Sequence, residues 1–96
     1  MGNLYASLYA VAKPRGSLLK KSQHTKEYKK LIQELKAARL AADYTQKEAA
    51  AALEKHPPFI SKIESGERRV DVIELLILCK LYSLKVTQLL RKAGLD

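Results

Sequence analysis

The sequence is poor in the residues that support disulfide-bonded, zinc-binding or RNA-stacking domains. A single cysteine, Cys79, cannot form an intramolecular disulfide framework and gives no sign of an oxidising compartment. Neither His24 nor His56 has a cysteine or second histidine at a metal-ligand spacing, so we expect no structural zinc and no cofactor. With no tryptophan and one phenylalanine, the chain lacks the aromatic sheet motifs that stack single-stranded RNA.

Long hydrophobic runs are also missing. The longest early apolar stretch, residues 4–12, is too short to span a bilayer, and no cationic residue precedes it. Gly2 is followed by Ala6 where an N-myristoylation pattern would place Ser or Thr. We therefore expect no export signal, no lipid anchor and no membrane partner, and by default a cytoplasmic location.

The chain does carry a large excess of positive charge. It has 18 Lys plus Arg against 10 Asp plus Glu, for a net charge of +8, and 47% of its residues are hydrophobic. This composition is that of an ordinary globular protein, and 96 residues fit one domain with a single core. The charge favours a polyanionic partner, either nucleic acid or an acidic membrane surface.

The apolar pattern predicts helices separated by short connections. Over residues 26–42, apolar side chains such as Leu31, Ile32 and Leu35 follow the i, i+3, i+4 spacing of an amphipathic helix. We treat residues 1–25 as an N-terminal extension and residues 26–96 as the folded domain. The extension repeats a Leu-Tyr-Ala triplet, and it could pack on the domain, mediate self-association or stay loose.

Capping signals mark where the later helices begin and end. Thr45 with Glu48, and Asp71 with Glu74, have the spacing of a capping box, in which each side chain satisfies a backbone N–H. Gly66 is suited to the left-handed conformation that ends a helix. The pattern predicts an all-α bundle of five short helices, the last four at residues 46–54, 57–65, 72–82 and 86–92.

Two of these helices carry a recognisable motif. The run TQKEAA at residues 45–50, followed by FISKIESGERR at residues 59–69, resembles the helix-turn-helix of Xre-type, lambda-repressor-like (Cro/CI superfamily) regulators. The resemblance covers residues 31–90. It implies a compact helical DNA-binding domain whose third helix, at residues 57–65, enters the major groove of duplex DNA.

The resemblance also assigns roles to individual residues. It implies a structural ion pair between Arg39 and Glu64, which can form two hydrogen bonds and fix the first helix to the third. It implies that Gln46 bonds a DNA phosphate at the positive end of the second helix. The DNA-binding residues that we predict are Thr45, Gln46, Lys47, His56, Pro57, Pro58, Phe59, Ser61, Lys62, Arg68 and Arg69.

The sequence departs from this family at two places. Pro57 and Pro58 stand where the family usually has hydrogen-bonding residues, which leaves apolar contact with thymine methyl groups as their reading mode and Lys62 as the main candidate for guanine or phosphate. Glu54 replaces the usual glycine before the turn, so a residue with a Cβ must adopt the backbone angles of that turn. Arg68 and Arg69 follow the helix and are expected to grip the phosphate backbone.

No set of side chains indicates catalysis. Cys79 lies inside an apolar helical run, and Glu48, Glu64 and Glu74 are accounted for by caps or the ion pair. We predict that the chain is not an enzyme and see no sign of a small-molecule effector.

The sequence therefore predicts a sequence-specific DNA-binding regulator of transcription, with repression as its expected activity. We expect a homodimer, with its interface at Leu89, Leu90 and Leu95 or in the N-terminal extension around Leu4 and Leu8, because two recognition helices can read a palindromic site. The alternative is a protein-interaction module, such as an antitoxin or phage-type accessory regulator, that binds DNA weakly.

Overall fold

The computed structural model describes residues 25–95, which form five α-helices with no strand among them. This confirms the predicted all-α bundle. Residues 1–24 lie outside the described part, and with them the predictions made for Leu4 and Leu8. The helices are α1 (Lys26–Ala41), α2 (Gln46–Ala52), α3 (Pro58–Glu64), α4 (Val72–Leu81) and α5 (Val86–Lys92).

Side-chain caps define the starts of three helices. Thr45 Oγ1 accepts a hydrogen bond from Glu48 N–H at 3.0 Å, and Thr45 N–H donates to Glu48 Oε1 at 2.8 Å. Asp71 and Glu74 form the same reciprocal pair at the start of α4, at 2.7 and 3.0 Å. Thr25 caps α1 by accepting from Tyr28 N–H at 3.1 Å. The two predicted capping boxes are thus confirmed.

Left-handed residues end the helices. Gly66 has φ +82°, as expected for a helix C-terminus, and Glu54 has φ +56° in the turn between α2 and α3. The turn therefore does place a residue with a Cβ in the region that glycine prefers. Lys55 N–H closes it by donating to Ala50 O at 2.9 Å.

Glu54→Gly is expected to stabilise the fold by about 0.5–1 kcal/mol. Relief of the left-handed backbone outweighs the greater freedom that glycine gives the unfolded chain. Gly66→Ala is the converse change, because nothing lies within 4 Å of an added Cβ and only the backbone is strained. The free energy of unfolding of Gly66→Ala should be lower than that of the parent by a similar amount. Urea unfolding of both variants measures the effect, and a Glu54→Gly variant no more stable than the parent would contradict it.

The core is built around α1, which packs against both α3 and α5, while α2 packs against α3 and α4. Leu35, Ile60, Ile63, Leu78 and Leu89 are its largest fully buried side chains. Leu89 is 0% exposed, so its predicted place in a dimer interface is wrong, because its side chain lies in the core. Leu90 packs partly against the core and Leu95 is 47% exposed, so an interface around these two leucines stays a prediction.

Candidate nucleic-acid interface

A buried polar network joins α1, α2 and α3. Arg39 Nε and Nη2 donate to the two carboxylate oxygens of Glu64 at 2.7 and 3.1 Å, and Arg39 Nη1 donates to Tyr44 O at 2.7 Å. Gln46 Nε2 donates to Glu64 Oε1 at 2.9 Å. The ion pair that the family resemblance implied is therefore present, with a glutamine as its third member.

The network lies almost out of reach of solvent. The Arg39 and Glu64 side chains are 7% and 6% exposed, and no buried side-chain N or O atom within residues 25–95 lacks a hydrogen-bond partner. The hydrogen bonds to Glu64 raise the pKa of Arg39 further above its ordinary value, against the opposing effect of burial. A permanently charged guanidinium thus holds α3 against α1.

The same contacts set the geometry of α2 and α3. Because Gln46 opens α2 and Glu64 closes α3, their bond places the start of α2 beside the end of α3. Ala49 and Ala50 are fully buried and belong to the same core cluster as Ile60 of α3. Alanines allow the two helix backbones to approach closely, so α2 and α3 form a rigid helix-turn-helix pair.

One face of α3 is open to solvent. Ile60 and Ile63 point into the core, each 1% exposed, whereas His56, Pro58 and Lys62 are exposed. Pro57, also exposed, lies at the N-cap, and Pro58 is the first helical residue. Proline has no N–H, Phe59 N–H donates to His56 O, and the Ser61 hydroxyl donates to Pro58 O. This end of α3 therefore offers apolar ring surface rather than many hydrogen-bond donors.

Phe59 differs from its prediction as a base-facing residue. Its ring is half-buried and packs against the core cluster. The Arg68 guanidinium lies 4.3 Å from the ring centroid and the Lys55 ammonium 5.5 Å from it, both at cation–π distance. Ser61 is half-buried as well. Phe59 therefore supports α3 from within the protein, and the DNA contacts expected of Phe59 and Ser61 stay predictions.

Arg68 is engaged within the protein. Its Nη1 and Nη2 atoms donate to Glu74 Oε1 and Oε2 at 3.0 and 3.2 Å, and Nη1 also reaches Arg69 O at 2.8 Å. This fork, together with the ring of Phe59, fixes the loop between α3 and α4. The Arg68 side chain is still 40% exposed, so its expected contact with a phosphate stays a prediction.

Glu74 makes the loop sensitive to acid. Burial alone would raise the pKa of Glu74, but hydrogen bonds from Arg68 and from Asp71 N–H, with nearby positive charge, lower it below its ordinary value of 4.5. A carboxyl group with a lowered pKa stabilises the fold above pH 4.5, and that contribution is lost as the pH falls through the folded-state value.

The free energy of unfolding of Glu74→Gln is expected to be about 1 kcal/mol lower than that of the parent at pH 7. As the pH falls below 4.5, the stability of the variant should decrease less steeply than that of the parent. Glutamine can still accept from Asp71 N–H in the capping box, so the change removes mainly the charge facing Arg68. Glu67→Gln, an exposed acid in the same loop, is the control and should be neutral. Equal acid slopes for parent and Glu74→Gln, measured by urea unfolding at several pH values, would refute this.

The remaining predicted residues lie on the outside of the helix pair. Thr45 and Lys47 are exposed at the start of α2, and Arg69 is exposed in the loop after α3. Gln46 lies beside Glu64 at the end of α3, away from Pro57 and Pro58 at its start. The structure thus brings Thr45, Gln46, Lys47, His56, Pro57, Pro58, Lys62 and Arg69 to accessible positions along α2, α3 and the following loop.

The described residues hold no metal-binding cluster, no exposed thiol and no membrane-spanning helix. Within residues 25–95 no three His, Cys, Asp or Glu side chains are grouped to hold a metal ion. Cys79 is buried, which raises the pKa of its thiol and disfavours the reactive thiolate. None of the helices in residues 25–95 has the length and apolarity that a membrane span requires.

Two supporting contacts were not predicted. Tyr28 accepts from Val70 N–H through its hydroxyl at 3.1 Å, which ties the loop to α1. Glu74 serves both the capping box and Arg68, and only the capping box has a recognisable sequence spacing. A tyrosine on the apolar face of α1 was a weak signal for the first contact, and nothing in the spacing of Arg68 and Glu74 pointed to the second.

Comparison with known proteins gives one family. A helix-turn-helix model of the Cro/CI type matches residues 35–89. The match covers more than half of the chain and spans α2 and α3 together with the Arg39, Gln46 and Glu64 network. The comparison with curated proteins gave no match.

Proposed function

Because the chain belongs to the Cro/CI-type helix-turn-helix family, we propose that it is a transcriptional repressor that reads a specific duplex DNA sequence with α3 in the major groove. The family is one of DNA-binding regulatory domains and not of enzymes. Beyond membership of the family, we propose three things: that the protein represses transcription, that α3 enters the major groove, and which residues contact the DNA.

The open face of α3 is the observation that carries this proposal. Lys62 and the two prolines are exposed there, while the isoleucines of the same helix anchor it in the core. The seven residues of α3 extend for roughly 10 Å, a length that can lie within a major groove about 12 Å wide. The Arg39, Glu64 and Gln46 network fixes how far α3 projects.

The chemistry of this face suggests how bases are read. Lys62 can donate to guanine O6 and N7, whereas Pro57 and Pro58 can contact only apolar groups such as the thymine methyl. His56 adds a ring that can donate or accept at the edge of the groove. We infer a site in which thymine-rich positions face the prolines and a guanine faces Lys62.

Phosphate contacts are assigned to the ends of the helix pair. Gln46 uses one amide N–H for Glu64 and has a second for a phosphate oxygen. Thr45 accepts through its hydroxyl oxygen within the cap, so its O–H can still donate. Lys47 and Arg69 supply charge on either side. These contacts position α3 without reading sequence.

Selection of binders from a random duplex DNA pool at near-physiological salt tests the proposal. The full chain should enrich an inverted repeat, since a homodimer presents two copies of α3 about one DNA turn apart. A chain that enriches no sequence, or that binds all duplexes equally and releases them with modest salt, contradicts specific regulation. The protein-interaction alternative would then be favoured.

A further inference from the structure

Most of the large apolar side chains that are exposed in residues 25–95 lie on one face of α4. Val72, Ile73, Leu76 and Ile77 are 68%, 65%, 43% and 43% exposed, and their spacing of i, i+1, i+4 and i+5 places them together on the helix surface. We refer to these four residues as the aliphatic stripe. The other side of α4 packs in the core, so the described fold does not use the stripe, although a helix face in water normally carries polar residues.

The aliphatic stripe is small for an interface with a separate molecule. Its four side chains expose roughly 400 Å² of apolar surface, about half of what a standard interface buries per partner. The net charge of +8 also opposes a second copy at this face. A segment of the same chain needs less contact area, because a short linker keeps it at an effective concentration of about 1 mM. At that concentration a contact with a dissociation constant of about 0.1 mM is formed about nine-tenths of the time.

The chain that precedes the described domain joins it beside the aliphatic stripe. Thr25 caps α1 and is followed about one helical turn later by Tyr28. The Tyr28 hydroxyl accepts from Val70 N–H at 3.1 Å, and Val70 lies two residues before Val72, the first residue of the stripe. The start of α1 is therefore next to the start of α4, and residues 1–24 are attached to the domain at this place.

The sequence of these preceding residues divides into an uncharged part and a cationic part. Residues 1–12 contain no charged side chain, whereas residues 13–24 contain four, all of them lysine or arginine. In the uncharged part, Leu4, Leu8 and Val11 have the i, i+4, i+7 spacing that places apolar side chains on one face of a helix. The uncharged part therefore has the composition of a segment that packs on an apolar surface, and the cationic part has that of a solvated linker.

Charge and reach both allow residues 1–12 to lie on α4. The only charged residues of α4 are Glu74, which pairs with Arg68, and Lys80, which follows the last residue of the stripe. The stripe therefore presents an uncharged surface to an uncharged segment. Residues 13–24 can extend over roughly 40 Å, whereas the whole of α4 is about 15 Å long.

We propose that residues 1–12 pack on the aliphatic stripe of the same molecule, with Leu4, Leu8 and Val11 as the contacting side chains. The contact removes apolar surface of both partners from water. It uses none of the residues proposed to contact DNA, because the stripe shares no residue with the exposed face of α3. This inference therefore does not depend on the proposed function.

Disulfide trapping in the full chain tests the contact. Leu8→Cys/Leu76→Cys should form an intramolecular disulfide under mild oxidation at least about 10-fold faster than Leu8→Cys/Leu40→Cys, because packing raises the local concentration of the two thiols. Leu40 is the matched control: it is an exposed leucine (58%) near the end of α1, about 20 Å from Thr25 and thus within reach of the same linker. The native Cys79 is buried.

The products of the oxidation distinguish the possible occupants of the stripe. Equal rates for the two double-cysteine variants would overturn the proposal, since the segment would then have no preference for α4. A disulfide between two molecules, recognised by its doubled mass, would also overturn it and indicate a second copy at the stripe. A faster intramolecular disulfide at Leu76 supports the proposal.

A second measurement uses no added cysteine. Leu4→Ser/Leu8→Ser should uncover the stripe and raise the fluorescence of the hydrophobic dye ANS by at least about 2-fold. Leu18→Ser/Leu19→Ser, which removes two leucines from the linker, is the control and should bind no more dye than the parent. All four positions lie outside the core of residues 25–95, so the domain should remain folded, which circular dichroism checks. Unchanged dye binding in Leu4→Ser/Leu8→Ser, or an equal rise in the control, would overturn the proposal.

Discussion

Replacing Arg39 with methionine should lower the free energy of unfolding by about 3–5 kcal/mol, the usual result of leaving one member of a buried ion pair unpaired. Methionine fills a similar volume but leaves Glu64, whose side chain is 6% exposed, with only Gln46 as a partner. Tyr44 O loses its donor as well. For a domain of this size, such a loss is a large part of the total stability, and urea unfolding at pH 7 measures it.

The double variant Arg39→Met/Glu64→Met distinguishes the contribution of the two charges from that of the volume that the side chains fill. Once both charges are gone, much of the lost stability should return, since an apolar pair of similar volume is often neutral. Lys36→Met, an exposed site on the same helix, is the control and should change stability by less than about 0.5 kcal/mol. If Arg39→Met were as mild as this control, the pair would not hold α3 in place.

The second large effect is expected on DNA binding. Lys62→Ala should weaken binding to a selected duplex by about 10–100-fold, the usual result of losing one contact to a guanine. Lys62 is exposed on α3, and its side chain supports no part of the core, so the fold should remain intact. Fluorescence anisotropy with labelled duplex measures the affinity, and circular dichroism checks the fold.

Lys85→Ala is the matched control. Lys85 is an exposed lysine before α5, and α5 packs against α1 rather than lying beside α3. Its removal should change affinity only slightly. The salt dependence of Lys62→Ala shows what the lysine contacts: a phosphate contact reduces the slope of log K against log salt by roughly 0.9, whereas a base contact relaxes specificity at one position. Equal affinity for parent and Lys62→Ala would show that α3 does not read the DNA through this residue.

Local signals predicted much of the fold. Both capping boxes have a fixed three-residue spacing, and Gly66 and Glu54 have the left-handed angles that their places in the turns require. The Arg39–Glu64 pair spans 25 residues, and no local pattern gives such a contact. It could be predicted because the resemblance to a known family supplied the geometry.

The candidate site was less predictable because exposed and buried roles depend on contacts distant in sequence. Arg68 and Phe59 both lie in the run that resembles the family motif, yet they stack on each other and Glu74 pairs with Arg68. A cation in a loop gives no indication of whether it faces an acid within the protein or a phosphate outside it. The structure shows that an acid within the protein, Glu74 at the start of α4, pairs with this cation.

The sequence shows that α4 is strongly apolar, but the hydrophobic pattern alone does not show which side of the helix is buried. A helix that is apolar on all sides is either buried within a core or covered by a partner. The apolar run is visible in the sequence, but only the exposure of Val72 and Ile73 shows that the core covers just one side of α4.

We propose above all that this chain recognises one duplex sequence through α3. The most direct measurement is a competition titration, at near-physiological salt, of the selected duplex against a scrambled duplex of the same composition. We predict a preference of at least about 1,000-fold for the selected duplex, reduced in Lys62→Ala and unchanged in Lys85→Ala. Equal affinity for the two duplexes would contradict sequence-specific recognition, since charge alone would then account for binding.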